Sequence, residues 1–146
     1  MQLLAGVAIF KNNKVLLLKN VGGGDQNDKW GPPAGHGEAN ETTEETAIRE
    51  AKEETNLDVE LLGIIQVGYF NYHAKDYLYV FYLAKAKDLS KINLQKEEVS
   101  EYIWASKQDL LKNKYEFRKE FLKEPILLSF EQKPSKNNLF KIYTVK

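Results

Sequence analysis

The sequence predicts a single α/β domain over residues 1–146, with helices interleaved among strands, and three observations lead there. Five β-rich runs are interrupted by stretches with helical periodicity and capping residues. The 146 residues, 42% of them hydrophobic, are enough for one buried core. No internal repeat and no linker-like stretch divides the chain.

Leu3–Lys11 and Lys14–Lys19 are the first two runs, joined at Asn12-Asn13, a pair that tolerates positive φ. Val21–Trp30 follows as a polar, glycine-rich loop closed by a tryptophan. It lacks the Gly-Lys-Ser/Thr ending of a phosphate loop, and no helix follows it directly. Thr42 to Asn56 reads as a helix: Thr42 and Glu45 fit a capping box, acids crowd the first turn, and Asn56 is a natural stop. Val59–Phe70 and Tyr77–Ala86 are the next strands, with Tyr72–Asp76 turning between them. Ser100–Ala105 is a short strand, and Ser106 caps a helix through Leu111. Glu124-Pro125 opens a further helix through about Gln132. Leu139–Val145 closes the chain as a strand or a tail.

Composition removes several function classes. Lys+Arg and Asp+Glu number 21 each, so there is no basic surplus of the kind a nucleic-acid coat uses, and no stable nucleic-acid partner is expected. The absence of cysteine excludes disulfides, thiolate metal sites and a catalytic thiol. Two histidines, His36 and His73, are too few for a histidine-rich metal cage. Leu3–Phe10 is apolar, but no basic residue precedes it and Lys11 and Lys14 cut it short, so it reads as a buried strand rather than a signal peptide. No apolar run approaches the roughly 18 residues of a membrane span. A cytoplasmic protein with no membrane partner is therefore expected.

The balanced charge conceals a split. Gly35–Glu60 holds nine acidic residues against Arg49 and Lys52, whereas Lys107–Lys146 holds ten basic against five acidic. At 100° per residue, Ala47, Ile48, Ala51 and Thr55 share an arc that can pack on a sheet, and Glu50, Glu53 and Glu54 occupy the adjoining arc. Like charges at i,i+4 cost roughly 0.2–0.5 kcal/mol per pair, so helix stability alone does not explain Glu50 one turn from Glu54. A hard divalent cation does, because Mg²⁺ takes one or two carboxylates together with waters and substrate phosphates. Arg49 is one of only two arginines, and it stands where it can fork between Glu45 and Glu53.

The spacing Gly35-(five)-Glu41-(seven)-Arg49-Glu50-Ala51-Lys52-Glu53-Glu54-Thr55-Asn56-Leu57 resembles the Nudix box. Its fixed residues would arise by chance in a chain of this composition with an expectation of roughly 10⁻⁵. The box spans residues 35–57; Asn56 stands in place of a glycine, Ala51 in place of a larger aliphatic, and Asn40 where many relatives carry glycine. The resemblance implies a Nudix fold, a mixed β-sheet sandwiched between helices. It also implies hydrolysis of a nucleoside diphosphate linked to another group, with Mg²⁺ or substituting Mn²⁺. By matching positions, Glu50 and Glu54 would be the main metal ligands, Glu53 a ligand or water-activating base, and the Ala34 carbonyl would complete the coordination. Gly35 and Glu41 would shape the motif, with Glu41 and Arg49 locking the helix to its loop.

In similar enzymes the general base often lies outside the box; Glu98 is the preferred candidate here, with Glu97, Glu101 and His73 behind it. For substrate binding, Lys19 could meet a phosphate and Trp30 and Tyr72 could stack on a base, with Tyr69 and Phe70 as further aromatics. Trp30–Thr43 is similar to a stretch of the bacterial Nudix phosphatases that act on nucleoside di- and triphosphates and on hydroxymethylpyrimidine pyrophosphate; Gly37 departs from it. The expected activity is thus metal-dependent cleavage of a phosphoanhydride in a small nucleotide or pyrophosphate substrate. Dinucleoside polyphosphate or ADP-ribose cleavage, or an inert nucleotide-binding regulator, are the alternatives. Similar proteins are often dimers, but no exposed apolar stripe commits this chain to one, and a monomer or a homodimer is expected.

Overall fold

The computed structural model describes residues 1–21, 24 and 27–131. Seven strands run in chain order as β1 (Gln2–Lys11), β2 (Lys14–Asn20), β3 (Trp30–Gly31), β4 (Ala34–His36), β5 (Val59–Tyr72), β6 (Lys75–Ala86) and β7 (Val99–Ala105). The helices are α1 (Thr43–Thr55), α2 (Lys107–Leu111) and α3 (Lys123–Ser129), with 3₁₀ turns at Leu89–Lys91 and Glu120–Leu122. The sheet is mixed, as expected: β1 runs parallel to β6 and antiparallel to β4, while β5 and β6 form a long antiparallel hairpin.

The sheet forks. β1 and β2 pair only at their shared hairpin, through Phe10 with Val15 and Lys11 with Lys14. Past that point β1 continues between β6 and β4, and β2 continues between β7 and β3. Period-two alternation along these strands fills a core on each face. Ala5, Val7, Ile9, Leu16, Leu18, Val80 and Tyr82 face α1 and its Ala47 and Ala51. Ala8, Val15, Leu17, Phe81 and Leu83 face Leu110 of α2, Ile126 of α3, and Phe117 and Leu122 between them. The result is the anticipated three-layer arrangement. Among the described residues no helix is long and apolar enough to cross a membrane.

Several boundaries differ from expectation. The β5–β6 connection is not the five residues Tyr72–Asp76 but the two residues His73-Ala74, both at positive φ (49° and 61°). That handedness suits the twist of the flanking strands, and neither residue carries the Asn or Gly signal that normally announces it. The last helix starts at Lys123, ahead of Glu124-Pro125, because the 3₁₀ turn before it runs straight in. Pro125 still lies in the first turn, where its missing N–H is not needed. Strands β3 and β4 are too short to leave a periodic signature. Gln132 and Leu139–Val145 lie outside the described residues, as do 22–23 and 25–26 of the Val21–Trp30 loop.

Candidate metal and phosphate site

Helix α1 is held at both ends. Thr42 and Glu45 form the reciprocal capping box, so Glu45 is spent on the cap and does not reach Arg49. At the other end Asn56 adopts the left-handed conformation (φ 64°), and Asn40 does the same before the helix (φ 65°). Both asparagines thus serve where glycine is usual, since a short polar side chain tolerates that region. The helix is rotated relative to the expected stripe: Ala47, Ala51 and Thr55 are buried, but Ile48 is 40% exposed and Glu54 only 5%. Two alanines against β1 let the helix settle close to the sheet, which turns Glu54 inward.

Arg49 organises the loop–helix junction. Its Nε and Nη2 grip Glu41 in a fork (2.7 and 2.9 Å), Nη2 also donates to the His36 carbonyl (2.8 Å), and Nη1 donates to Glu50 (2.9 Å) and Glu53 (3.1 Å). Glu41 additionally accepts from the Thr46 hydroxyl (2.6 Å) and the Glu38 N–H (3.0 Å). The Arg49 guanidinium, with these two donors, holds the Glu41 carboxyl down at about 2. A methyl group at Gly35 would overlap the Glu50 carboxyl and push it from its place, so glycine leaves room for that side chain here.

Glu54 takes the Ala34 N–H on one oxygen (3.0 Å). Burial pushes its carboxyl up to about 8; Arg118 and the Ala34 N–H pull the other way, and Glu50 and Glu98 push in the same direction as burial. Burial also raises Glu50, against the pull of Arg49. Glu98 is placed by the connection between β6 and β7, where the Asn93 and Gln95 N–H groups donate to the Thr55 and Glu54 carbonyls at the end of α1 (2.8 and 3.1 Å). Among the described residues, no three acidic or imidazole side chains stand grouped tightly enough to hold one ion between them. The reason is visible in the contacts: Arg49 draws Glu50 and Glu53 to itself, and Glu54 turns toward Ala34. The donor set nonetheless fits a hard divalent cation. All its donors are carboxylate oxygens, and two of these groups pay a burial penalty for ionising that a bound cation removes.

Glu54 and Glu98 open onto a cleft of about 690 Å³. Ala34, Gly35, Glu54, Glu98 and Arg118 line one end, and Phe70, Tyr72, Tyr77, Tyr79 and Phe121 line the aromatic part. Phe70 stacks on Tyr77 (4.9 Å, 7°), and Lys119 lies over Tyr72 (4.7 Å). Of the expected substrate contacts, Tyr72 therefore lines the cleft. Lys19 and Trp30 do not: Lys19 pairs with Glu101 (3.1 Å) and Trp30 packs edge-on against Tyr115 (5.4 Å). They face each other across the β2–β3 pair, next to β7, while the cleft is reached only by the following residues Asn20 and Val21. Glu101 is thereby occupied as well, and His73 sits in the β5–β6 turn against Tyr72.

Arg118 is the site residue that sequence reasoning missed. Its only sequence signal is the scarcity that also marks Arg49, two arginines among 21 basic residues.

The NUDIX domain family profile matches residues 2–124. A mouse (Mus musculus) protein, bis(5'-nucleosyl)-tetraphosphatase [asymmetrical], is 38% identical over 81 residues, 51% of this chain and 54% of that protein. The chain thus spans about half the length of this curated relative. A NUDIX hydrolase from Nitrosomonas europaea superposes with a TM-score of 0.77 at 26% identity, covering 99% of this chain and 78% of that one. An ADP-ribose pyrophosphatase from Streptococcus suis shares the fold with a TM-score of 0.71 at 22% identity, covering 98% and 96%. With the profile running through nearly all the described residues, and Arg49 gathering Glu41, Glu50 and Glu53 beside the Gly35 and Glu54 that line the cleft, the chain belongs to the Nudix family.

Proposed function

We propose that the chain is a Nudix-type pyrophosphohydrolase. In this reading it cleaves a phosphoanhydride bond in a small nucleoside di- or triphosphate, or a related diphosphate, by attack of water on phosphorus. One observation supports it above the others: a buried glutamate, Glu54, lies at the charged end of a cleft whose remaining length is walled by aromatic rings. That pairing suits a ligand with an anionic tail and a flat, apolar head.

Glu50 and Glu54 would hold Mg²⁺, or Mn²⁺ in its place, with the Ala34 backbone beside Glu54. When bound, the ion neutralises charge on the phosphate oxygens and lowers the pKa of water. Arg49 and Glu41 fix the glutamate rotamers, so little reorganisation is needed as charge builds on the phosphoryl group. Glu53 and Glu98 are the two groups that can take a proton from the attacking water. Glu98 is preferred because it lines the cleft, whereas Glu53 is more than half exposed and tied to Arg49. The nucleoside or equivalent head lies against Tyr72 and the neighbouring rings.

The test is release of phosphate, pyrophosphate or nucleotide from a panel holding nucleoside di- and triphosphates, hydroxymethylpyrimidine pyrophosphate, ADP-ribose and a dinucleoside tetraphosphate, with Mg²⁺ or with EDTA. Turnover that stops with EDTA and returns with Mg²⁺ is expected. Turnover in full chelation, or none on any member, overturns the reading. A second substrate class, dinucleoside tetraphosphates, is favoured by the likeness to the mouse bis(5'-nucleosyl)-tetraphosphatase, and the same panel ranks it.

A further inference from the structure

Arg118 lies outside the box and outside every helix and strand, yet the fold goes to some length to place it. The stretch before α3 is bound to the box loop by three bonds: the Trp30 N–H to the Glu116 carbonyl (2.8 Å), the Arg118 N–H to the Trp30 carbonyl (2.8 Å), and Arg118 Nη2 to the Pro32 carbonyl (3.0 Å). The guanidinium lies over Gly31, where any side chain would collide with it. Arg118 Nη1 is buried with no hydrogen-bond partner, the only such side-chain atom among the described residues.

A buried donor left without an acceptor costs about 1–3 kcal/mol, and burying the cation costs more. The attraction of Glu54 and Glu50 offsets part of this, but a lysine could supply the same charge and the single bond to Pro32. What only arginine brings is a planar fork with a second donor, the group that matches two oxygens of one phosphate. Arg118 also lines the cleft with Glu54 and Glu98, and Lys119 follows it on the same wall beside Tyr72.

We propose that Arg118 is a phosphate anchor of this cleft: on substrate binding its unpartnered Nη1, packed over Gly31 in the free protein, turns to a phosphoryl oxygen. This rests on the phosphoanhydride reading above and adds to it a fixed cation contributed by the chain itself. The carboxylates hold the anionic tail through a metal, and Arg118 holds it directly.

The test is calorimetric binding of α,β-methylene-ADP, which resists cleavage between its phosphates, to the unaltered protein, Arg118→Met and Arg118→Lys. Each is measured at saturating Ca²⁺ and again in EDTA, with Ca²⁺ affinity and thermal midpoint recorded in parallel. Arg118→Met is expected to weaken analogue binding at least tenfold at saturating Ca²⁺ and to abolish whatever binding persists in EDTA. Arg118→Lys should fall between the two, and Ca²⁺ affinity should stay within about threefold. Analogue affinity within twofold of the unaltered protein in both variants overturns the assignment. So does a loss confined to Ca²⁺ affinity or to the thermal midpoint, which would make Arg118 a brace for the loop. If Arg118→Met fails to fold, Arg118→Lys decides alone: a loss of threefold or more at saturating Ca²⁺ supports the anchor, and a smaller one overturns it. Failure of the unaltered protein to bind the analogue overturns this inference and the functional reading together, whereas normal binding by the variants beside normal turnover overturns this inference alone.

Discussion

Glu54→Gln separates two consequences of one buried carboxyl. In the metal-free protein Glu54 keeps its proton up to about 8, while in the unfolded chain it releases it near 4.5. The folded state therefore binds more protons between those values, and stability must fall as pH rises from about 4.5 to about 8. At about 1.4 kcal/mol per pKa unit the ceiling on that fall is about 5 kcal/mol. Relaxation and water entry around the ionised group reduce it to an expected 2–3 kcal/mol, because buried ions in real proteins recover part of their solvation. Glutamine keeps the shape and can accept the Ala34 N–H, but it does not titrate. Urea unfolding in EDTA at pH 5, 6, 7 and 8 should give a declining series for the unaltered protein and a flatter one for the variant. Saturating Mg²⁺ should offset the decline in the unaltered protein, adding about 2.7 kcal/mol at a hundred times its dissociation constant, and should do little for the variant. The variant's kcat should fall at least a hundredfold, about 3 kcal/mol of transition-state stabilisation. Parallel pH profiles, or equal Mg²⁺ stabilisation of both proteins, would refute the placement of Glu54 as the buried cation-binding carboxylate.

Gly35→Ala forces the Glu50 carboxyl aside, so hydrolysis should drop at least tenfold with a smaller change in thermal midpoint; near-normal kcat/KM would show that the Glu50 rotamer is dispensable. Arg49→Lys replaces five bonds by a point charge that cannot fork to Glu41, and a loss of about 2 kcal/mol in urea unfolding is expected together with slower turnover. Because Arg49 holds Glu41 below its ordinary value, the stability gained from that pair is present above about pH 4.5 and fades as pH falls toward 2, so the two proteins should converge in acid unfolding curves. Asn56→Ala puts a Cβ-bearing residue without a local hydrogen bond at φ 64° and removes the bond to the Lys91 carbonyl; about 1–2 kcal/mol of stability should be lost with kcat unchanged.

The parts of the site that were legible in the sequence are those that act within one helix and its loop. Glu41, Arg49, Glu50, Glu53 and Glu54 are close along the chain, so spacing alone brings them together, and Thr42, Glu45 and Asn56 mark the ends that hold them. The far wall was legible only in Tyr72 and Phe70, named for their chemistry. That Tyr77, Tyr79 and Phe121 join them depends on the β5–β6 register and the docking of the 3₁₀ turn ahead of α3, and neither leaves a local trace. Lys19 and Trp30 mislead for the same reason. They have suitable chemistry and lie near the box in sequence, but Lys19 on β2 and Trp30 on β3 pair with each other and turn to Glu101 and Tyr115. The helix stripe was read one position off at its edge, because periodicity measures where apolar residues cluster and not how closely two alanines let a helix approach. That closeness, and not hydrophobicity, is what brings Glu54 inside.

The forked sheet has a mechanical consequence. Its two prongs are joined by backbone pairing only at the β1–β2 hairpin, and the cleft draws its lining from both: Leu4–Gly6 and the β5–β6 rings on one, Asn20, Val21 and Glu98 on the other. A ligand lodged there would touch both prongs and tie them together where the sheet's own pairing does not.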